Sequence, residues 1–247
     1  MSDTPAVAVV TGASRGLGAG LADSLARRGV RLGLCARTRP PVPAQADAVS
    51  RVVDVTDGDA VEAFLEEVVA RLGPIDLWVN NAGVLDPIGP LAESEPAPLL
   101  RHLEINVAGV ALGTRAFARH VRGRPGGGVL VNVSSGAATR AYEGWAVYCA
   151  SKAAVDMLTE VVALEEAGHG LRAYALAPGH IDTDMQARIR SMPPEAFPAV
   201  DRFRRVHADR AFTPPEAVAA FICSLVRDPA TAGGAVRQRV PGPTAGR

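Results

Sequence analysis

Short apolar runs alternate with stretches of helical periodicity from one end of the chain to the other. AVAVVT at 6–11 is β-branched and nearly continuous, the pattern of a strand covered on both faces. GLGAGLADSLARRG at 16–29 then spaces Leu17, Leu21 and Leu25 four apart, one face of a helix, and Gly29 is its stop signal. VRLGLCA (30–36) and RVVDV (51–55) read as the second and third strands. DAVEAFLEEVVARLG (59–73) is an amphipathic helix closed by Gly73-Pro74. IDLWVNNA (75–82) predicts a fourth strand and 96–122 a long helix. GGVLVNVSS (127–135) is a fifth strand, 146–168 a further helix, and LRAYALAPG (171–179) a sixth strand.

This β-α-β alternation predicts an α/β fold: one domain over 1–247, a doubly wound parallel sheet of the Rossmann type with helices on both faces. TRPPVPAQADA (38–48) is proline-rich and expected to be a surface loop. The segment 184–213 breaks the alternation with SMPPEAFP and many arginines, and is expected to form a short substrate lid. The tail 241–247 is expected to fray.

A chain of 247 residues with 48% hydrophobic content can bury a substantial core. Its 26 acidic and 26 basic residues cancel, which argues against nucleic acid as a partner. Cys35, Cys149 and Cys223 are far apart and form no C-x-x-C pair. Neither a disulfide framework nor a metal site is expected from them. No apolar run approaches the length of a membrane span and the N-terminus lacks a leader pattern, so a cytoplasmic protein with no membrane partner is expected.

Two stretches carry candidate chemistry. VVTGASRGLG (9–18) sets Gly12, Gly16 and Gly18 between a strand and a helix. Glycines allow backbone to approach a pyrophosphate, and a helix N-terminus offers unpaired N–H groups. After the second strand the sequence reads Cys35-Ala36-Arg37, with no carboxylate for a ribose 2′-OH. Arg37, with Arg15 in the glycine loop, would suit a 2′-phosphate, which favours NADPH over NADH; the bland alternative is two more solvent-facing arginines. The second stretch is YCASK at 148–152, which contains the chain's one lysine among 25 arginines. Tyr148 and Lys152 share a helix face. An ammonium is compact where a guanidinium is a rigid fork, so Lys152 is expected to do what arginine cannot. A free phenol has a pKa of about 10, and the nearby ammonium is expected to lower it.

T-G-x-x-x-G-x-G (11–18), DV (54–55), NNAG (80–83), IN (105–106), NVSS (132–135), YCASK and APGHIDTDM (177–185) occur in that order. Together, over about 6–227, they resemble the short-chain dehydrogenase/reductase family. The resemblance implies a catalytic tetrad of Asn106, Ser135, Tyr148 and Lys152. In it Tyr148 protonates the carbonyl oxygen and Ser135, not Ser134, orients it. Lys152 holds the nicotinamide ribose, and Asn106 anchors a water leading to Lys152. It also implies cofactor contacts from Gly12, Ser14, Arg15, Gly16, Leu17 and Gly18 in the loop, with Arg37 beyond it. Asp54 and Val55 would meet the adenine, and Asn81, Ala82 and Gly83 the adenine-side ribose. Pro178, Gly179, Ile181 and Thr183 would meet the carboxamide end.

A finer resemblance, in GWAVYCASKAAVDML and APGHIDTDMQ, is to sepiapterin reductases and bacterial benzil reductases. It implies a small-molecule carbonyl substrate, a ketone beside a second carbonyl. Trp145, Met185, Phe197 and Phe203 would form a flat wall, although the last two and Met185 fit ordinary core equally. His180 reads as a pocket-wall residue rather than a second acid, and Cys149 as core packing. The C-terminal GGAVRQRVPGP departs from the family pattern and leaves a seventh strand and its part of the pocket open. Two rivals use the same catalytic residues: a 3-oxoacyl-carrier-protein reductase recruited by Arg188, Arg190, Arg202, Arg204 and Arg205, and a polyketide-type ketoreductase. A protein that senses NADPH without chemistry is a rival of another class. The family resemblance further implies a homodimer or homotetramer built on the helices at 96–122 and 146–168.

Overall fold

The structure is a computed structural model and describes residues 5–242. Strands β1 (Val7–Thr11), β2 (Arg31–Ala36) and β3 (Ala48–Val52) run outward in sequence. The chain then crosses back to lay β4 (Leu77–Asn80), β5 (Gly128–Val133), β6 (Leu171–Ala177) and β7 (Arg237–Arg239) on the other side of β1. All six pairings are parallel, in the order β3-β2-β1-β4-β5-β6-β7. Strand order reverses between β1 and β4, and a ligand crevice is expected there, beyond the carboxyl ends of the strands.

The period-2 alternation of β1 divides the core. Ala8 and Val10 face one layer, where helices α1 (Gly16–Ala26) and α8 (Pro215–Arg227) contribute Leu21, Leu25, Val218 and Ile222. Val7 and Val9 face the other layer, with Phe64 and Val68 of helix α2 (Gly58–Leu72) and Phe117 of helix α4 (Gly109–Val121). Helix α5 (Ala146–Glu165) adds Val162 to this second layer. Asp57 caps α2 by accepting from Ala60 N at 3.0 Å. Asn80 of β4 donates to Asn132 of β5 at 2.8 Å and Thr114 of α4 at 3.2 Å, a buried polar tie between sheet and helix.

Several boundaries differ from the sequence reading. The third strand is Ala48–Val52, not 51–55, because its register opposite β2 runs from Leu32↔Ala48 to Ala36↔Val52. Residues 54–56 instead form a turn in which Asp54 accepts from Thr56 N at 3.0 Å. Strands β4, β5 and β6 are each shorter than expected at their ends, where the chain peels away to line the crevice. The helix expected at 96–122 is interrupted: α3 (Pro96–Leu103) passes through a π turn, Glu104–Ala108, into α4. Such a turn at Asn106 is the kind of helix irregularity found at functional sites. Helix α5 ends at Glu165 rather than 168. The seventh strand, left open by sequence, is present and pairs Ala177 with Arg239. The segment 184–213 contains helices α6 (Asp184–Arg190) and α7 (Val200–Ala208). Of the tail expected to fray, residues 243–247 lie outside the described residues.

Candidate active site

The glycine loop works through close backbone approach. Gly12 has φ +66°, and a Cβ there would stand 2.7 Å from the Ala82 Cα. A Cβ on Gly18 would fall 2.4 Å from the Gly12 carbonyl oxygen, so the first turn of α1 is packed directly on the loop. Gly18→Ala is therefore expected to push the loop off the helix. Destabilisation of about 1–3 kcal/mol is expected, with a tenfold or greater loss of nicotinamide cofactor affinity, read by thermal melting and fluorescence titration.

From this loop a cleft of about 1110 Å³ runs along the carboxyl edge of the sheet to β7. The expected loop residues Ser14, Arg15, Gly16 and Leu17 line it, as do Arg37, Asp54, Val55, Ala82 and Gly83. At the other end stand Ser135, Tyr148, Lys152, Pro178, Gly179, His180, Ile181, Met185, Trp145 and Phe203, while Thr183 lies against Gly16 of the loop. One continuous surface thus joins the phosphate-end and chemistry-end candidates.

Tyr148 and Lys152 sit one turn apart near the start of α5, both more than nine-tenths buried. The Lys152 ammonium donates to Val133 O at 2.8 Å and lies 5.8 Å from the Tyr148 ring centroid. Burial pushes Lys152 down to about 8, with Asp156 acting in the opposite direction. The Tyr148 phenol departs from the sequence expectation. Burial raises its pKa, and the Ser135 hydroxyl bonded to it offsets that only in part. The expected lowering by Lys152 is not among the influences on the phenol, which enclosure of the ring dominates. Ser135 also accepts from Ala137 N at 3.2 Å. Ser134 instead donates to Asp156.

Other candidates are placed differently from expectation. The Asn106 Oδ1 accepts from Val84 N at 2.8 Å, and its amide donates to Val84 O at 2.8 Å and His102 Nε2 at 2.9 Å. Both amide hydrogens are committed, so the expected water anchor cannot rest on them. Asn81 donates to Thr11 O at 2.9 Å and Gly12 O at 3.3 Å, tying the glycine loop to β1 rather than offering its amide to a ribose. The Asp54 carboxylate is bonded to Arg101 at 2.6 Å and to Thr56, not held free for adenine. Burial raises its pKa, but those hydrogen bonds outweigh it and leave the group below the usual carboxylate range. Arg15 reaches across the cleft to Asp184 at 3.1 Å instead of flanking Arg37. Thr183 caps α6 through Gln186 N at 3.4 Å. Phe197 is not a wall residue: it is fully buried behind Trp145, stacked at 4.5 Å. Cys149 is half-buried and packs at the edge of the cluster around Trp145.

Sequence reasoning missed His102. It is buried, with Nδ1 2.9 Å from Asp86 O and Nε2 3.0 Å from Ser151 Oγ. Because Nε2 accepts from Asn106, the proton belongs on Nδ1. Burial first, then the Lys152 charge, holds this ring below its usual pKa, against the pull of Asp86. The i, i+4 spacing of His102 and Asn106 was a visible signal. The approach of Ser151 from α5 was not.

A short chain dehydrogenase family model matches residues 6–194. A benzil reductase of the (S)-benzoin-forming kind from Bacillus subtilis strain 168 is 31% identical over 88% of this chain and 92% of its own. A cis-4-hydroxycyclohexanecarboxylate dehydrogenase of Sinomonas cyclohexanicum is 40% identical over 73% of this chain and 75% of its own. The crystal structure of the KRED1-Pglu enzyme superposes with a TM-score of 0.76 at 33% identity, covering 89% of this chain and 94% of that one. With the ordered motifs, the reversed strand order and a tyrosine–lysine pair over a glycine loop, these likenesses give one result: the chain belongs to the short-chain dehydrogenase/reductase family, in its benzil-reductase-like branch, and is an oxidoreductase of CH–OH and C=O groups.

Proposed function

We propose that the protein is an NADPH-dependent carbonyl reductase that reduces a ketone, of the benzil or sepiapterin dicarbonyl type, with Tyr148 as proton donor. The observation that carries this reading is the buried Tyr148 phenol, bonded to Ser135 and backed by Lys152, in one cleft with the glycine loop. The cleft fits a dinucleotide. Gly12 and Gly18 let the loop pack directly on Ala82 and on the start of α1, so the loop lines one end of the cleft, and residues 178–181 line the opposite end. When bound, the nicotinamide supplies hydride to the carbonyl carbon. Tyr148 delivers its proton to the carbonyl oxygen, and Ser135 orients that oxygen. A phenol whose pKa is raised stays protonated at neutral pH, which suits reduction better than abstraction of an alcohol proton. Lys152 stabilises the phenolate left after transfer. His180, held below its usual pKa first by burial and then by Arg202 and Arg239, is neutral at that pH and serves as wall.

NADPH is favoured because Arg37 lines the cleft beside Ala36 and Thr38 with no acidic residue between them. Arg37→Glu is expected to raise the KM for NADPH at least tenfold and to narrow or reverse the preference over NADH, read by initial rates with both cofactors. A small-molecule substrate is favoured over a carrier-linked one. Arg188, Arg190 and Arg204 of the expected recruiting patch are paired with Asp86, Asp182 and Asp201. Exposed Leu100 and Leu103 of α3 and Met157, Val161 and Leu164 of α5 support self-association through these helices. NADPH consumption with benzil, sepiapterin and a plain monoketone, beside NADH, tests the reading. Dicarbonyl turnover supports it. Cofactor binding with no turnover on any of the three would favour the sensor.

A further inference from the structure

We propose that the far end of the cleft is an anion-binding subsite formed by Arg202, Arg239 and Arg140. The preferred ketone then carries a carboxylate, or an oxyacid group of like charge, at the end away from its reacting carbonyl. This rests on the reading of Tyr148 as the residue that marks that carbonyl.

The charge balance of the cleft is the first ground. Each aspartate lining it is already taken: Asp54 by Arg101, Asp86 by Arg188, Asp184 by Arg15. Arg140, Arg202 and Arg239 also line it, and none of them is ion-paired among the described residues. Arg202 Nη1 meets only the Tyr142 hydroxyl, at 3.1 Å. Arg140 and Arg202 both approach the Tyr142 ring, their guanidinium carbons 5.3 and 6.0 Å from its centroid. Arg239 Nη2 lies 3.1 Å from where a Cβ on Gly136 would stand, one residue beyond Ser135. Arg202 and Arg239 line the cleft together with His180, and both charges disfavour its imidazolium. Positive charges gathered without a counter-ion in a partly enclosed cleft repel one another, and an anion relieves that repulsion.

The second ground is the path between the two ends. The rings of Tyr148, Trp145 and Tyr142 follow one another at centroid separations of 5.2 and 5.1 Å. Phe203 stands 5.4 Å from Trp145. A flat ketone with its oxygen at Tyr148 and its body along Trp145 and Phe203 brings its far substituent to the guanidiniums. Trp145 has a further unmet need, since its indole N–H is buried with no acceptor among the described residues. Arginine suits the task because its planar fork matches a carboxylate in two-point contact.

The test compares benzil-4-carboxylate with its methyl ester as NADPH-dependent substrates, with benzil as reference. The acid is expected to exceed the ester in kcat/KM by at least about tenfold, equivalent to ~1.4 kcal/mol. In the Arg202→Gln, Arg239→Gln double variant the acid-to-ester ratio is expected to fall to near one. Arg204→Gln, on a residue paired with Asp201, is expected to keep it. Ester turned over as well as acid would overturn the subsite and leave the reductase reading standing. If none of the three is reduced, the reductase reading fails and binding decides the subsite. Calorimetric titration of benzoate and benzamide into the NADPH-saturated protein should then show benzoate bound at least tenfold more tightly, a preference lost in the double variant. Equal binding of the two would overturn the proposal.

Discussion

Replacing Tyr148 with phenylalanine is expected to lower kcat for ketone reduction by about 10²–10⁴-fold, the range a positioned general acid supplies. The size of the effect follows from what surrounds the phenol. Ser135 is bonded to it but is itself a poor acid, and Lys152 donates to Val133 O. His102 and His180, the imidazoles nearest the site, are both held neutral by burial. No neighbouring group is therefore ready to take over proton delivery. The fold should tolerate the change. The ring keeps its edge contact with Trp145 at 5.2 Å and with His102 at 6.1 Å, and loss of one hydrogen bond costs about 0.5–1.5 kcal/mol. Single-turnover rates with saturating NADPH, alongside thermal melting, separate chemistry from stability. A variant that melts normally and keeps more than a tenth of the wild-type rate would show that the proton comes from another group.

Much of this arrangement was legible in the chain. Period-2 burial in AVAVVT, the four-residue leucine spacing of α1 and the glycine loop between them are local patterns, and local geometry enforces them. Tyr148 and Lys152 were equally legible because one helix turn fixes their relation. What escaped depends on register and on partners distant in sequence. The third strand was misplaced by about three residues because RVVDV looks apolar, whereas pairing with β2 and the Asp54–Thr56 turn decide where the strand ends. Strand β7 has exposed arginines at both ends and no apolar signature, and only its pairing with β6 brings Arg239 to the cleft. The rise in the Tyr148 pKa was invisible for the same reason. The sequence displays the ammonium, but the enclosure that raises the pKa is tertiary. Phe197 and Phe203 look alike in sequence, yet one is shielded by Trp145 and the other reaches the cleft.

The single lysine supplies the second large expectation: Lys152→Arg should lose about 10²-fold or more in kcat/KM, although the charge is kept. The site is built for one small cation. Its ammonium is buried, has Val133 O as its fixed acceptor, and is held near a pKa of about 8. A guanidinium brings five donors into that space and stays ionised, so unsatisfied donors and overpacking should cost about 1–3 kcal/mol of stability. Displacement of the fork against the Tyr148 ring, now 5.8 Å from the ammonium, would also move the phenol off its line to the carbonyl. The pH profile distinguishes geometry from charge. The folded pKa of Lys152 lies below its ordinary value of 10.5, so the ammonium is present below pH of about 8 and lost above it. Wild-type reduction should therefore decline on the alkaline side of that value, as the phenolate left by proton transfer loses its counter-charge. In Lys152→Arg the residual activity should show no such limb, because the guanidinium does not titrate there. An alkaline limb unchanged in the variant would assign it to another group. Wild-type activity in Lys152→Arg would mean that a positive charge alone suffices, and the choice of lysine among 25 arginines would have no catalytic cause.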